Sequence, residues 1–187
     1  MTEPKVRIGI MSAPEITVDF IKPYIDGNGN ALHGLHTFRY TPGTDLLIAP
    51  ADDDSAEFEL HNVTIGVGFH WERNEAQRFT GMLNIVSDNN MLTAINIVGA
   101  EEYLRSVISS EMSATSSEEL LKAHAVISRS WLMSRIRETR HIADHTAYHD
   151  DGSDDNPDVV NRWYDSGSHT RFDVCADDHC QRYQGIA

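Results

Sequence analysis

The chain has 187 residues, of which 40% are hydrophobic and 24% are charged, a composition typical of globular rather than disordered proteins. Fifteen lysines and arginines stand against 29 aspartates and glutamates, giving a formal net charge of −14. Such a field repels polyphosphates, so the composition argues against nucleic acid and anionic membranes as partners.

The first half of the chain has the alternating pattern of β-strands. Apolar residues recur at every second position over 6–10, 57–61 and 63–67, and Thr93–Val98 forms a further strand-like run. Turn-forming residues at 27–30, 41–43 and 87–90 separate these segments. Short strands at this spacing predict an antiparallel sheet or a small barrel.

From residue 101 the hydrophobic period becomes helical. Residues 101–110 carry apolar side chains at helical spacing, and Ser116 with Glu119 has the spacing of a capping box. A long amphipathic helix is predicted to follow and to end near Arg140. Its apolar positions fall into two adjoining stripes: Leu120, Ala123, Ile127 and Trp131 in one, and Leu121, Ala125, Leu132 and Ile136 in the other.

The order of strands followed by helices predicts an α+β fold. We expect a β-rich part over 1–98 and a helical part over 99–187, the latter ending in an irregular C-terminal loop. Residues 144–178 hold ten aspartates and two arginines, and within them 150–155 is predicted to be a solvated loop and 162–164 a short helical end.

No run of residues is long and apolar enough to span a bilayer, the longest being Leu46–Ala51. The N-terminus lacks the basic and apolar pattern of a signal peptide. The protein is therefore expected either to be intracellular or to have had its signal peptide removed.

Two histidines and two cysteines lie close together near the C-terminus: His169, Cys175, His179 and Cys180. Four nitrogen and sulfur ligands suit tetrahedral zinc, and a site with four protein ligands would serve as a structural staple. A Cys175–Cys180 disulfide and two free thiols are the alternatives that the spacing leaves open.

Glu111 is a candidate general acid. It follows two serines at the end of the first predicted helix and precedes the apolar Met112, a partly apolar setting that suits a proton donor. Lys122 and Arg129 lie seven residues apart on the long helix and share a face, where they could bind substrate oxygens. The alternative is that all three are ordinary surface charges.

Three segments together resemble one family. The stretches 97–104, 107–112 (Val-Ile-Ser-Ser-Glu-Met) and 121–131 (Leu-Lys-Ala-His-Ala-Val-Ile-Ser-Arg-Ser-Trp), followed by 172–185, are similar to the sporulation stage II protein D and amidase-enhancer (LytB) family. The match covers about 78–187 in order and at suitable spacing.

The resemblance implies a peptidoglycan lytic transglycosylase that acts on glycan strands stripped of their stem peptides. It places the catalytic residue at Glu111 and further active-site positions at Lys122 and Arg129. It also implies an extracytoplasmic location, in the cell envelope or secreted. Some family members bind zinc in the last segment, which favours the metal interpretation of His169, Cys175, His179 and Cys180.

Two departures from the family pattern bear on these expectations. His124 stands where many relatives have glutamine, and it projects about 200° around the helix from Lys122, so no catalytic role is assigned to it. The family usually continues beyond the position of Ala187, so the chain is expected to be a fragment or a truncated relative. A noncatalytic module that stimulates a cell-wall amidase, and a zinc-stapled envelope domain without activity, are the alternative functions.

Overall fold

The computed structural model describes residues 3–52, 55–113, 115–144 and 169–186, with the backbone alone over 138–144. Eight strands precede two helices, and a short ninth strand follows them. The strands are β1 Lys5–Ala13, β2 Glu15–Asp26, β3 Ala31–Arg39, β4 Asp45–Pro50, β5 Glu57–Ile65, β6 Arg73–Thr80, β7 Met82–Asp88, β8 Met91–Gly99 and β9 Val174–Cys175. The helices are α1 Ala100–Glu111 and α2 Glu118–Asp144. The α+β fold is confirmed.

The nine strands form one sheet in the order β6-β5-β2-β4-β7-β8-β1-β9, with β3 paired to β2. All pairs are antiparallel except β1 with β9. β2 changes partner along its length, because its register breaks between Phe20 and Tyr24: the first part pairs with β5 and the second with β4. β2 thus joins the β5–β6 side of the sheet to the β4–β7 side.

The predicted turns connect these strands. Asn89 and Asn90 both have positive φ and close the β7–β8 hairpin, as two-residue hairpin turns require. The two alternating segments at 57–61 and 63–67 form one strand, β5, over 57–65, because Asn62 at φ 57° makes a local irregularity that keeps apolar residues inward on both sides.

One apolar cluster joins the sheet to the helices. α1 contributes Tyr103, Leu104 and Val107, and α2 contributes Leu132 and Ile136. The N-terminal segment caps α1, since Ala100 N–H donates to Pro4 O (3.0 Å) and Glu101 N–H to the Glu3 carboxylate (2.7 Å). The start of α1 is thus held by the N-terminal segment, and its buried side chains pack it against the sheet.

The structure corrects two details of the long helix. Its first residue is Glu118, and Ser117 rather than Ser116 caps it by accepting the Leu120 N–H at 3.3 Å. Leu120 and Ile127, predicted to lie on an apolar face, are exposed. Leu132 and Ile136 of the other predicted stripe are buried, as expected. With His124 and Ser128 they form the row that faces the core at intervals of four residues, because only the later turns of α2 reach the apolar cluster.

The predictions for 150–155 and 162–164 concern residues outside those that the structure describes. Within the described residues, no helix is both long and apolar enough to cross a membrane.

Candidate active site and metal centre

Glu111 is the last residue of α1 and lies on the face that α1 turns to the core. Tyr103, Val107 and Glu111 succeed one another at intervals of four residues, so the carboxylate emerges where the buried row ends. The Glu111 side chain is 28% exposed, so the carboxylate is accessible from solvent. The helix holds the group rigidly at the edge of the core.

His124 of α2 contacts one oxygen of this carboxylate. Its Nε2 lies 2.8 Å from Glu111 Oε2, and only 12% of the histidine side chain is exposed. The hydroxyl of the buried Ser128, one turn further along α2, lies 3.3 Å from the same nitrogen. The imidazole is therefore held in place from its own helix while it contacts Glu111.

The other carboxylate oxygen accepts a backbone hydrogen bond. Arg182 N–H donates to Glu111 Oε1 at 3.0 Å. Polar groups from α2 and from the C-terminal segment thus meet at Glu111, so its surroundings are more polar than the neighbouring Met112 had led us to expect. The hydrogen bonds fix the orientation of the carboxyl plane and leave one edge open.

Lys122 and Arg129 lie on a different side of α2. The Lys122 ammonium pairs with Glu118 (2.8 Å) and Glu119 (3.4 Å), and Arg129 pairs with Glu101 of α1. All of these groups are exposed, and such pairs contribute little to stability. Among the described residues, neither cation contacts Glu111, and their roles in binding substrate stay predictions.

Sequence reasoning set His124 aside, yet it is the side chain that contacts Glu111. The signal that could have found it is the row His124, Ser128, Leu132 and Ile136. Residues four apart on a helix share a face, and the last two members of the row are strongly apolar. Because Lys122 projects about 200° away from His124, a helix that turns the histidine to Glu111 directs the lysine outward.

The structure brings together the four candidate metal ligands. One ligand atom from each of His169, Cys175, His179 and Cys180 lies within 4.8 Å of the others. His179 Nδ1 is 3.8 Å from Cys175 Sγ and 3.6 Å from Cys180 Sγ, while His169 Nε2 is 3.4 Å from Cys180 Sγ. Both cysteines are free thiols.

These distances fit a tetrahedral metal ion. With sulfur about 2.3 Å and nitrogen about 2.0–2.1 Å from a zinc ion, a sulfur and a nitrogen ligand lie about 3.6 Å apart. The hydrogen bond from the Cys180 thiol is the main cause that lowers the pKa of Cys175 to about 3, with further hydrogen bonds from the two histidines. The same pairing, together with burial, raises the pKa of Cys180. The contact between the two cysteines thus favours one thiolate in the pair, the form in which cysteine binds metals.

The four side chains His169, Cys175, His179 and Cys180, called the His/Cys cluster below, are attached to the sheet through β9. Asp173 N–H donates to Arg7 O and Arg7 N–H to the Asp173 carboxylate, both at 2.9 Å. Phe172 packs over Gly9, where any Cβ would come within 2.5 Å of the ring, and its ring lies 4.7 Å from that of His169. Gly9 therefore allows the close approach that positions a ligand.

The segment after the cluster is anchored in the core by Tyr183. Its ring stacks on Tyr103 (5.3 Å) and Phe79 (5.9 Å), and its hydroxyl donates to Asn96 Oδ1 at 2.6 Å. Arg182 lies between this anchor and Cys180. The backbone donor for Glu111 thus lies between Cys180 of the His/Cys cluster on one side and the buried Tyr183 ring on the other.

Comparison with known proteins identifies one family. The model of the family described as Stage II sporulation protein (SpoIID) matches residues 88–187, more than half of the chain, including β8, both helices and the His/Cys cluster. No curated protein and no solved structure matches the chain. The chain belongs to the SpoIID family of stage II sporulation proteins.

Proposed function

We propose that the protein is a peptidoglycan lytic transglycosylase that acts on glycan strands stripped of their stem peptides. The family is linked to the cell wall, which supports peptidoglycan as the substrate class. The observation that carries the proposal is the Glu111 carboxyl, oriented by His124 and by the Arg182 amide, with part of its surface open. The protein would act outside the cytoplasm, in the cell envelope or secreted.

A single carboxyl is sufficient for this reaction. Hydrolysis of glycosides generally uses two carboxyl groups, one of which activates water or attacks the sugar. In the proposed reaction Glu111 gives its proton to the glycosidic oxygen as the C1–O bond breaks. The C6 hydroxyl of the muramyl residue then bonds to C1 and returns its proton to Glu111, so no water is consumed.

His124 is proposed to orient the reacting carboxyl through its contact with Oε2. Its Nε2 can accept a hydrogen bond from protonated Glu111 in one tautomer and donate one to the carboxylate in the other. Within one tautomer the imidazole therefore orients Glu111 in one of its two protonation states. Arg182 N–H donates to the opposite oxygen, Oε1, which is thereby held as an acceptor.

Lys122 and Arg129 are proposed to bind sugar oxygens or the lactyl carboxylate. Both cations now pair with exposed glutamates. Because exposed ion pairs contribute little free energy, a substrate carboxylate could replace the glutamate at little cost. Zinc is proposed to bind His169, Cys175, His179 and Cys180 as a structural ion. With four protein ligands it would have no open position for chemistry and would fix the segment that carries the Arg182 amide.

The decisive variant is Glu111→Gln, which removes the proton donor and keeps the size of the side chain. Wild-type protein incubated with denuded glycan is expected to release 1,6-anhydromuramyl ends, identified by mass spectrometry, and the variant to release about a hundredfold fewer or none. Matched melting curves would show that the variant is folded. Absence of product from the wild type, or equal product from both, contradicts the proposal.

A noncatalytic module that stimulates a cell-wall amidase is the second candidate. The exposed apolar side chains Leu120, Val126 and Ile127 on α2 favour it, because such side chains are suited to a protein partner. Stimulation of an N-acetylmuramoyl-L-alanine amidase that persists in Glu111→Gln, with no anhydro product from the wild type, would support this function instead.

A further inference from the structure

A hairpin loop outside the family-matched region presents aromatic side chains. We define the aromatic loop as residues 66–72, between β5 and β6. The Phe69 and Trp71 rings stack at 5.4 Å with planes 15° apart, and Phe69 remains 50% exposed and Val67 59% exposed. An exposed, ordered aromatic pair of this kind is suited to ligand binding.

The loop is held in this shape before any ligand binds. Phe69 N–H donates to Gly66 O, Glu72 N–H donates to Phe69 O, and the Glu72 carboxylate accepts the Gly68 N–H at 2.7 Å. Gly66 has φ 69°, and a Cβ there would overlap the Trp71 ring. Binding would therefore cost little ordering entropy in the loop.

Arg182 connects the aromatic loop to Glu111. Its guanidinium lies 5.1 Å from the centre of the Trp71 ring and pairs with Asp178 at 2.9 Å, while its backbone N–H donates to the Glu111 carboxylate. Since Arg182 contacts the Trp71 ring with its guanidinium and Glu111 with its backbone N–H, the ring lies within about 15 Å of the carboxylate. A short oligosaccharide has about this length. A cleft between the loop and the C-terminal segment is lined by Val67, Arg182 and Gln184.

We propose that the aromatic loop is a saccharide-binding subsite of the active site, in which Phe69 stacks on a sugar ring of the glycan strand. The apolar C–H face of a pyranose packs against an aromatic ring, and its hydroxyl edge remains available to polar groups. Because Asp178 already neutralises Arg182, the subsite favours an uncharged sugar such as N-acetylglucosamine over a carboxylate-bearing one. The identity of the ligand rests on the proposed function.

The test measures glycan binding in a form of the protein that cannot turn the ligand over. Glu111→Gln and the double variants Glu111→Gln/Phe69→Ala and Glu111→Gln/Phe69→Tyr are titrated with soluble chitooligosaccharide by calorimetry. Loss of the ring is expected to weaken binding roughly three- to tenfold, and tyrosine is expected to restore it.

Leu35→Ala in the same background is the matched control, because Leu35 is also an exposed apolar residue and lies on β3, which pairs with β2. Its affinity should equal that of the parent. The proposal is overturned if Phe69→Ala binds as tightly as the parent, if Leu35→Ala weakens binding equally, or if the parent does not bind. Release of anhydro product by the wild-type protein is measured separately. If product forms but binding does not depend on Phe69, only the subsite is rejected. If binding depends on Phe69 but no product forms, only the transglycosylase activity is rejected.

Discussion

At the scale of single residues, the site depends on how two helices present Glu111 and His124 to each other. Glu111 ends a row on α1 whose earlier members are buried, and His124 begins a row on α2 whose later members are buried. The two polar side chains meet where both apolar rows stop. Each helix thus positions a functional group at the boundary between core and solvent.

Replacement of His124 tests this contact. His124→Ala removes the partner of Glu111 Oε2 and is expected to lower kcat about 10- to 100-fold with little change in KM, since a hydrogen bond to a charged group contributes about 1.5–3 kcal/mol. His124→Gln keeps an N–H donor and should retain most of kcat. Steady-state release of anhydro ends measures both, and a rise in KM with unchanged kcat, or equal losses in Ala and Gln, would count against a positioning role.

The sequence could indicate Glu111 and the four residues of the His/Cys cluster as candidates, because each belongs to a recognisable local pattern. It could not supply Arg182, whose contribution comes from its backbone amide rather than its side chain. A backbone donor has no residue-type signature, and its position depends on β9 and Tyr183 bringing distant segments together.

At the scale of elements, the C-terminal segment 169–186 has little regular structure of its own. Its order comes from the two-residue pairing of β9 with β1, from Tyr183 in the core and from the cluster of ligands. A metal ion would add bonds that close this segment, and so stabilise the amide that contacts Glu111.

Removal of metal tests the role of this segment. The purified protein is expected to contain zinc, and Cys175→Ser should lower its zinc content, measured by elemental analysis. Chelation should lower the melting temperature and speed hydrogen exchange at the Arg182 amide, because the loop loses its staple. His33→Ala on β3 is the control and should keep its zinc; unchanged zinc in Cys175→Ser would exclude Cys175 as a ligand.

The strands were more readily predicted than the faces of α2. Alternation over 6–10 and 57–61 identified strands because buried positions alternate there with more exposed ones, whereas the run 93–98, buried almost throughout, was identified by the turn signal that precedes it. α2 carries apolar residues on several sides, so hydrophobicity alone could not indicate which face packs. The tertiary contact at Leu132 and Ile136 decides it.

At the scale of the whole molecule, one core supports both the sheet and the site, and buried tyrosines are part of it. Burial is the main cause that raises the pKa of each of three tyrosines, Tyr24, Tyr103 and Tyr183. The unfolded chain therefore loses these protons at lower pH than the folded chain, starting near pH 10. The folded state then binds more protons, so stability falls as pH rises.

Tyr24 offers a clean test of this pH dependence, since its hydroxyl donates to Ala56 O (2.8 Å) and Gly81 O (3.1 Å) within the sheet. The free energy of unfolding, from urea titrations, should fall above about pH 10 by up to about 1.4 kcal/mol per pH unit for each such tyrosine. Tyr24→Phe should be about 1 kcal/mol less stable at pH 7 and show a shallower alkaline decline. An identical alkaline slope in wild type and variant would contradict the assignment.

The net charge of −14 also belongs to this scale. Within 144–178 the excess of aspartate is separated in sequence from Glu111, Lys122 and Arg129. A glycan strand that has lost the carboxylates of its stem peptides would approach such a protein with less repulsion than intact wall. The net charge is therefore compatible with the proposed substrate.

The most direct test of the central claim is the origin of the oxygen in the reaction products. Denuded glycan is digested in water enriched in heavy oxygen, and the released ends are analysed by mass spectrometry. A lytic transglycosylase predicts 1,6-anhydro ends that are one water lighter than hydrolysis products, carry no solvent oxygen and disappear in Glu111→Gln. Reducing ends labelled with solvent oxygen, or anhydro ends that persist in Glu111→Gln, would contradict the account.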